Sequence, residues 1–170
     1  VANSVYNPVI GTVAFKTNHF STYAVGYNGK SFKDVKSGEW YSEAVNFIAA
    51  RGITTGTGDN NFSPDAELTR GQFIVQVMRA YGISPDLNPE DNFADAGDAY
   101  YTAYLAGAKR LGITNGVGNN LFAPNRNISR QEMFTLLYNI LKVTSELPKG
   151  KTGKDINTFR DAGNVASWAA

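Results

Sequence analysis

The chain has 170 residues, enough for one sizeable domain or for a few small units that share a core. Its 16 basic and 15 acidic residues leave a net charge of +1, so no general electrostatic field favours nucleic acid as a partner. There is no cysteine, which excludes disulfides and thiol chemistry. The longest apolar runs fall well short of the roughly 20 residues of a membrane span, so membrane insertion is not expected.

Residues 1–28 differ from the rest of the chain and are predicted to be the tail of a preceding β-domain. Apolar residues lie on both sides of a polar turn at residues 17–19: Val13 and Phe15 before it, and Phe20, Tyr23 and Val25 after it. This pattern predicts two short strands. Because two strands alone are marginally stable in water, we expect them to belong to a larger sheet.

From residue 32 onwards the chain repeats itself, with a second copy about sixty residues after the first. The first copy contains Phe32, Asp34, Trp40, Gly52-Ile53, Gly56, Gly58, Phe62, Pro64 and Leu68-Thr69-Arg70. The second contains Phe93, Asp95, Tyr100, Gly112-Ile113, Gly116, Gly118, Phe122, Pro124 and Ile128-Ser129-Arg130. A third copy opens at Phe159-Arg160-Asp161 and reaches Trp168. Repeats of this kind bury their apolar faces against one another, so we expect stacked units.

Each repeat is predicted to be a helix, a glycine-rich loop and a second helix. Apolar residues at helical spacing precede Gly52, a residue that suits the end of a helix. Thr69-Arg70-Gly71-Gln72 and Ser129-Arg130-Gln131-Glu132 both match a capping box, in which residues one and four satisfy each other's backbone amides. The predicted boundaries are 32–83 and 93–143 for the two repeats and 159–170 for the start of a truncated third. Proline-containing polar linkers fill residues 84–92 and 144–158.

The succession Phe-x-Asp-Val, Trp, Gly-Ile, Gly-x-Gly, Phe-x-Pro and Leu-Thr-Arg strongly resembles the surface-layer homology module of bacterial cell envelopes. The resemblance implies a mainly α fold in which three modules form a pseudo-threefold arrangement with grooves between them. It also implies an extracellular protein that binds secondary cell-wall polysaccharide on peptidoglycan, often through pyruvate ketals, and so tethers an exported protein to the envelope. Where the family has Thr-Arg-Ala-Glu, this chain has Thr69-Arg70-Gly71-Gln72 and Ser129-Arg130-Gln131-Glu132, and it has Tyr100 where Trp is usual.

Arg70 and Arg130 each occupy the first position of a predicted helix. A cation there opposes the helix dipole, an arrangement that costs roughly 0.3–1 kcal/mol at an exposed end. One explanation is that the arginine and the neighbouring free amides bind an anion, such as a ketal carboxylate or a phosphate. The alternative is a structural ion pair, with Asp34 or Asp95 as candidate partners.

Three aromatic and three acidic residues recur at the start of the repeats: Trp40, Tyr100 and Trp168, and Asp34, Asp95 and Asp161. The aromatic side chains are candidates for stacking on sugar rings, with packing in the core as an equally weighted alternative. The aspartates are candidates for hydrogen bonds to sugar hydroxyls, with helix capping as the alternative.

The glycines of the loops carry no phosphate-binding pattern, since no Lys-Ser or Lys-Thr follows them. Gly56 and Gly116 are expected to allow close approach of a ligand or of a neighbouring backbone. The acidic and amide residues after Gly58 faintly suggest a calcium loop, but the second copy replaces its acidic residues, so we expect no metal site and no cofactor. His19 is the only histidine and lies outside the repeats, so a catalytic triad within them is excluded and no enzyme is predicted.

Two functions from different classes are consistent with these residues. The first is a non-catalytic carbohydrate-binding anchor, and the second is a protein-interaction or self-assembly module of a surface-layer protein. Because the third repeat stops after its opening, its neighbours are expected to expose an apolar face. We therefore expect the chain to self-associate or to bind a second polypeptide that completes this repeat.

Overall fold

The computed structural model describes residues 4–17, 19–26, 28–150 and 155–169. The described part is mainly helical, as predicted: α1 is Ser42–Ala50, α2 is Arg70–Ala80, α3 is Thr102–Arg110 and α4 is Arg130–Val143. Two short strands, β1 Val5–Asn7 and β2 Thr12–Ala14, precede them, and two single-turn 3-10 helices, Ile156–Thr158 and Ala162–Asn164, follow. Among the described residues, no helix is both long and apolar enough to cross a bilayer.

The chain forms two compact units. The first contains the described residues up to Glu67 together with Gln76–Ile83, and the second contains Leu68–Val75 and the described residues from Ser84 onwards. In the first unit the buried apolar side chains are Val45, Ala49, Ile53, Val77 and Met78. In the second they include Ile74, Phe93, Leu105, Ile113, Phe122 and Ile140. Helix α2 thus contributes to both cores.

The first helix of each repeat ends as predicted, at a glycine in the left-handed conformation. Gly52 and Gly112 both have φ of 70°. At the end of α1, the Gly52 amide donates to the carbonyl of Ala49, and the Ile53 amide donates to that of Ile48. These two bonds satisfy carbonyls that would otherwise lack a partner at the helix end.

Both predicted capping boxes are confirmed. The Ser129 hydroxyl accepts a bond from the Glu132 amide, and the Glu132 side chain accepts one from the Ser129 amide. Thr69 and Gln72 make the corresponding pair at α2, with distances of 2.9 and 3.2 Å. The caps fix where α2 and α4 begin and therefore where Arg70 and Arg130 lie.

The predicted strand pair exists, but its position was wrong. The strands pair upstream, antiparallel, with Val5 opposite Ala14, and Gly11 at φ of 63° closes the turn between them. The described residues around Tyr23 form no strand, and the Tyr23 ring packs against that of Phe15 with ring centres 4.8 Å apart. Asn18 of the predicted turn and residues 151–154 of the second linker lie outside the described residues.

Candidate functional site

Asp95 holds the glycine-rich loop of its own repeat in place. Its two carboxylate oxygens accept bonds from the backbone amides of Phe122 and Ala123, at 2.8 and 2.7 Å. Asp34 does the same in the first repeat, with the amides of Phe62 and Ser63, also at 2.8 and 2.7 Å. The bond from the Phe62 amide is the main cause of a lowered pKa of Asp34. The helix-cap alternative was therefore wrong for both aspartates, since their partners lie in a loop.

Gly116 lies where the loop folds tightly back on itself. Its φ is 78°, and a Cβ atom there would lie 2.1 Å from the carbonyl oxygen of Leu121 and 2.8 Å from the Phe93 ring. Gly56 has the same surroundings in the first repeat, formed by Asn61 and Phe32. The close approach of the neighbouring backbone and ring therefore explains why glycine occupies both positions.

Arg70 is almost fully buried, with 3% of its surface exposed. Its Nε donates to the Phe122 carbonyl at 2.8 Å, its Nη1 pairs with Glu132 at 2.8 Å, and its guanidinium lies 4.4 Å from the centre of the Phe122 ring. Burial lowers the pKa of Arg70, and the charge of Glu132 opposes that shift. The ion-pair alternative therefore describes Arg70, but the partner is Glu132 instead of Asp34 or Asp95.

The backbone amides at the start of α2 are also engaged. The Arg70 amide donates to the carbonyl of Arg126 at 2.9 Å, and the Gly71 amide donates to that of Pro124 at 2.8 Å. These amides are consequently not free to bind an anion. Arg130, by contrast, is exposed, and within the described part of the chain its side chain has no hydrogen bond or ion pair.

Glu132 joins three groups and was not among the site residues predicted from the sequence. It accepts bonds from the amide and hydroxyl of Ser129, at 2.8 and 3.0 Å, and it contacts both Arg70 and Arg126. Burial alone would raise the pKa of Glu132, but the bonds from Ser129 and Arg126 and the charge of Arg70 lower it overall. The available signal was the presence of glutamate where the first repeat has Gln72.

We expect the contribution of Glu132 to stability to depend on pH. Because its folded-state pKa lies below the usual 4.5, the ionised form stabilises the fold above that value, and the stabilisation is lost as the pH falls below it. Glu132→Gln keeps the capping geometry of Gln72 but removes the charge, so it should lower the free energy of unfolding at pH 7 by about 2 kcal/mol. Denaturant titrations between pH 7 and pH 3 should show this difference shrinking. A difference that is constant over that range would contradict the assignment.

The three repeated aromatic side chains are exposed, so the core-packing alternative was wrong. Trp40 is 90% exposed, Tyr100 59% and Trp168 56%. Trp40 meets the edge of Tyr41 with ring centres 5.5 Å apart, and Tyr100 meets Tyr101 at 5.0 Å. Each aromatic residue therefore presents a ring to solvent.

A groove of about 510 Å³ lies in the second unit, and three of the predicted site residues line it: Arg70, Gly116 and Trp168. Its other polar walls come from Asn115, Thr135, Asn139 and Glu132. Asp34 and Trp40 lie instead at a second cavity, of about 610 Å³, in the first unit. Asp95, Tyr100, Arg130 and Asp161 line neither cavity. Within the described residues, no cluster of three or more metal-ligating side chains occurs.

Comparison with known families explains the repeated pattern. The family model of the S-layer homology domain matches residues 31–74 and 92–134. The chain belongs to the S-layer homology family. The two matched segments contain Asp34 and Asp95, which bond the loop amides, together with both glycine-rich loops and the starts of α2 and α4.

The similar proteins include a surface-layer protein and two enzymes. The chain is 31% identical over 161 residues to an amylopullulanase of Thermoanaerobacterium thermosulfurigenes, a match that covers 94% of the chain and 8% of the enzyme. It is 28% identical to an S-layer protein of Bacillus thuringiensis subsp. finitimus, covering 94% of the chain and 19% of that protein. It is 34% identical to the exoglucanase XynX of Acetivibrio thermocellus, over 71% of the chain and 12% of the enzyme.

The chain therefore spans less than a fifth of the length of these relatives. These matches associate it with the cell wall and the surface layer. The region shared by surface-layer proteins and enzymes is the S-layer homology domain, which is non-catalytic.

Proposed function

We propose that this S-layer homology chain is an anchor that binds secondary cell-wall polysaccharide and tethers an exported protein to the bacterial envelope. The observation that carries the proposal is the groove of about 510 Å³ in the second unit, which combines an exposed aromatic ring with convergent polar side chains. Its volume lies within the usual range of small-ligand sites. Family membership supports the same function, because S-layer proteins and cell-wall enzymes share this domain.

The lining of the groove suits a carbohydrate. Trp168 supplies a flat apolar surface on which the face of a sugar ring can lie. Asn115 is exposed at the same groove. The Thr135 hydroxyl donates to the Gln131 carbonyl and the Asn139 amide to the Ile113 carbonyl, so these two side chains offer their oxygen atoms as acceptors for sugar hydroxyls. The repeated loop and helix elements thus present one stacking surface and several hydrogen-bonding groups together.

The electrostatics of the groove favour a polymer with acidic substituents, such as pyruvate ketals. Glu132 contacts the guanidinium groups of both Arg70 and Arg126, and the side chain of Arg126 is half exposed. Arg70 lines the groove while Phe122 and Glu132 hold its orientation. In this proposal the half-exposed Arg126 attracts the acidic group, and Trp168 binds the adjoining sugar.

The proposal includes the pseudo-threefold arrangement of three modules that the resemblance implies. The opening of the third repeat contributes Trp168 to the groove of the second unit. The amide of Ala166 donates to the side chain of Gln131 at 3.1 Å, which fixes this opening against α4. An arrangement of this kind requires each groove to be completed by residues of the next repeat.

Co-sedimentation with purified peptidoglycan sacculi tests the function directly. We expect the chain to sediment with intact sacculi and to lose this ability after mild acid removes the attached polymer. Trp168→Ala should weaken binding about tenfold, equivalent to about 1.4 kcal/mol, because the stacking surface is lost. Phe134→Ala is the matched control, since Phe134 is 63% exposed but lies outside the groove.

Sedimentation that survives removal of the polymer would overturn the carbohydrate proposal and favour a protein or peptidoglycan partner. Equal losses in Trp168→Ala and Phe134→Ala would show that this groove is not the binding site. Circular dichroism of both variants checks that the helices remain folded.

A further inference from the structure

The groove of the second unit contains an Asn-Gly pair, Asn115-Gly116. Asparagine is chemically labile, because the backbone nitrogen of the next residue can attack its side-chain carbonyl carbon. A side chain on that next residue shields the nitrogen, and glycine has none. The fold requires glycine at position 116, since its φ is 78° and a Cβ atom there would lie 2.1 Å from the Leu121 carbonyl oxygen. The residue that shields least therefore directly follows Asn115.

The side chain of Asn115 is also exposed, and within the described residues it makes no hydrogen bond. Asn120 of the same loop is restrained instead. Its side chain accepts a bond from Lys109 at 2.8 Å and donates one to the Asn92 carbonyl at 3.2 Å. It is followed by Leu121, whose side chain shields the backbone nitrogen. Asn120 therefore lacks both features that make Asn115 reactive.

The first repeat has the same loop without the reactive pair. Thr55 stands where the second repeat has Asn115, and it is likewise exposed and followed by a glycine, Gly56, with φ of 79°. Threonine has no side-chain amide to lose. The second repeat alone therefore combines this loop geometry with a labile side chain.

We propose that Asn115 is a site of spontaneous deamidation, and that the carboxylate formed there weakens the binding of an acidic polymer in the groove. A base removes the proton of the Gly116 nitrogen, which bonds to the side-chain carbonyl carbon of Asn115 and expels the amide nitrogen as ammonia. Water then opens the resulting cyclic imide at either carbonyl and gives aspartate or isoaspartate. One water molecule is consumed and one ammonia is released, so the reaction needs no oxidant or reductant.

The hydroxyl of Thr114 slows this reaction in the folded chain. It accepts a hydrogen bond from the Gly116 amide at 3.0 Å, and this bond retains the proton that has to leave. We therefore expect Asn115 to react more slowly in the folded chain than in the unfolded chain. The modification accumulates with the age of the protein.

Both products change the groove. A carboxylate at position 115 repels an acidic substituent of the polymer. In isoaspartate the main chain also gains one carbon atom, in a loop that is closed by a bond of 2.7 Å from the Val117 amide to the Leu121 carbonyl. The effect on binding rests on the proposed function, in which this groove takes an acidic polymer, whereas the conversion itself does not.

Mass spectrometry of the whole folded chain, aged in water that carries a heavy oxygen isotope, tests the conversion. Trypsin releases Asn115, Asn119 and Asn120 in a single peptide, residues 111–126, so their conversion is compared directly. We expect heavy oxygen at residue 115 and none at residues 119 and 120. A folded chain that stays unlabelled at residue 115 over several weeks, while the unfolded chain is labelled there, would overturn the proposal.

Co-sedimentation with sacculi tests the effect on the groove. Freshly prepared Asn115→Asp should bind about fivefold more weakly than the parent, the upper end of what one exposed pair of charges contributes. The aged parent should lose at least as much. Aged Asn115→Gln should bind as well as fresh Asn115→Gln, because the longer side chain forms the cyclic imide far more slowly.

Asn28→Gln is the matched control for ageing. It removes the other Asn-Gly pair of the sequence, which lies outside the groove, so this variant should lose binding with age as the parent does. Labelling at residue 115 without a loss of binding would overturn the effect on the groove. A fresh parent chain that does not sediment with sacculi would overturn the proposed function and with it the effect on binding, while labelling at residue 115 would still establish the modification site.

Discussion

Replacing Arg70 by alanine is expected to lower the free energy of unfolding by about 3 kcal/mol, the low end of the range for removing one partner of a buried ion pair. The side chain is 3% exposed, and its loss leaves the Phe122 carbonyl without a donor and Glu132 with one cation fewer. Glu132 keeps its contacts with Arg126 and Ser129, which is why the low end applies. Chemical denaturation at pH 7 measures the effect.

Arg130→Ala is the matched control, because Arg130 has the same place in the second repeat but is exposed. Its free energy of unfolding should change by about 0.5 kcal/mol or less at low protein concentration. Equal effects of the two substitutions would show that the burial of Arg70 does not determine its role. Arg70→Lys should recover only part of the loss, since an ammonium group cannot bond Phe122 and Glu132 with the planar geometry of guanidinium.

Gly116→Ala is expected to lower the free energy of unfolding by about 4 kcal/mol. A positive φ strains any other residue by roughly 1–3 kcal/mol, and overpacking adds a similar amount. The added Cβ would lie 2.1 Å from the Leu121 carbonyl oxygen, which is backbone and cannot rotate away. Thermal unfolding followed by circular dichroism would reveal the loss.

Gly118→Ala measures the cost of a positive φ in the same loop without a steric clash. Gly118 also has a positive φ, of 105°, but a Cβ atom there would meet nothing within 4 Å. We expect a cost of about 1–2 kcal/mol. If Gly118→Ala proved as damaging as Gly116→Ala, the close approach of Leu121 and Phe93 would not be the reason for glycine at position 116.

The helices and their caps could be predicted from the sequence because their signals are local. The capping residues lie three positions apart, and the glycine that ends α1 directly follows the apolar stripe. The repeat strengthened the prediction of the helices and caps, because each signal occurs twice at a constant spacing. The strand pair was misplaced because strand pairing depends on a partner that no local pattern identifies.

The burial and bonding partners of the charged residues could not be predicted, because those partners are distant in sequence. Arg70 bonds Phe122 and Glu132, which are 52 and 62 positions away, and Asp95 bonds amides 27 and 28 positions away. Identical positions in the two repeats also have different surroundings, since Arg70 is buried and Arg130 is exposed. Pattern similarity alone assigns both arginines the same role.

The sequence separation of the residues that these bonds join affects the folding and unfolding rates of the second unit. Closing a loop costs more entropy as the loop lengthens, by roughly 0.6 kcal/mol for each doubling. The bond between Asp95 and the Phe122 amide closes a loop of 27 residues, and the bond between Arg70 and the Phe122 carbonyl closes a loop of 52 residues. The Asp95 bond is therefore favoured to form earlier. Interactions that form after the rate-limiting barrier slow unfolding without speeding folding. On this basis we expect substitution of Asp95 mainly to slow folding of the second unit, and substitution of Arg70 mainly to speed its unfolding.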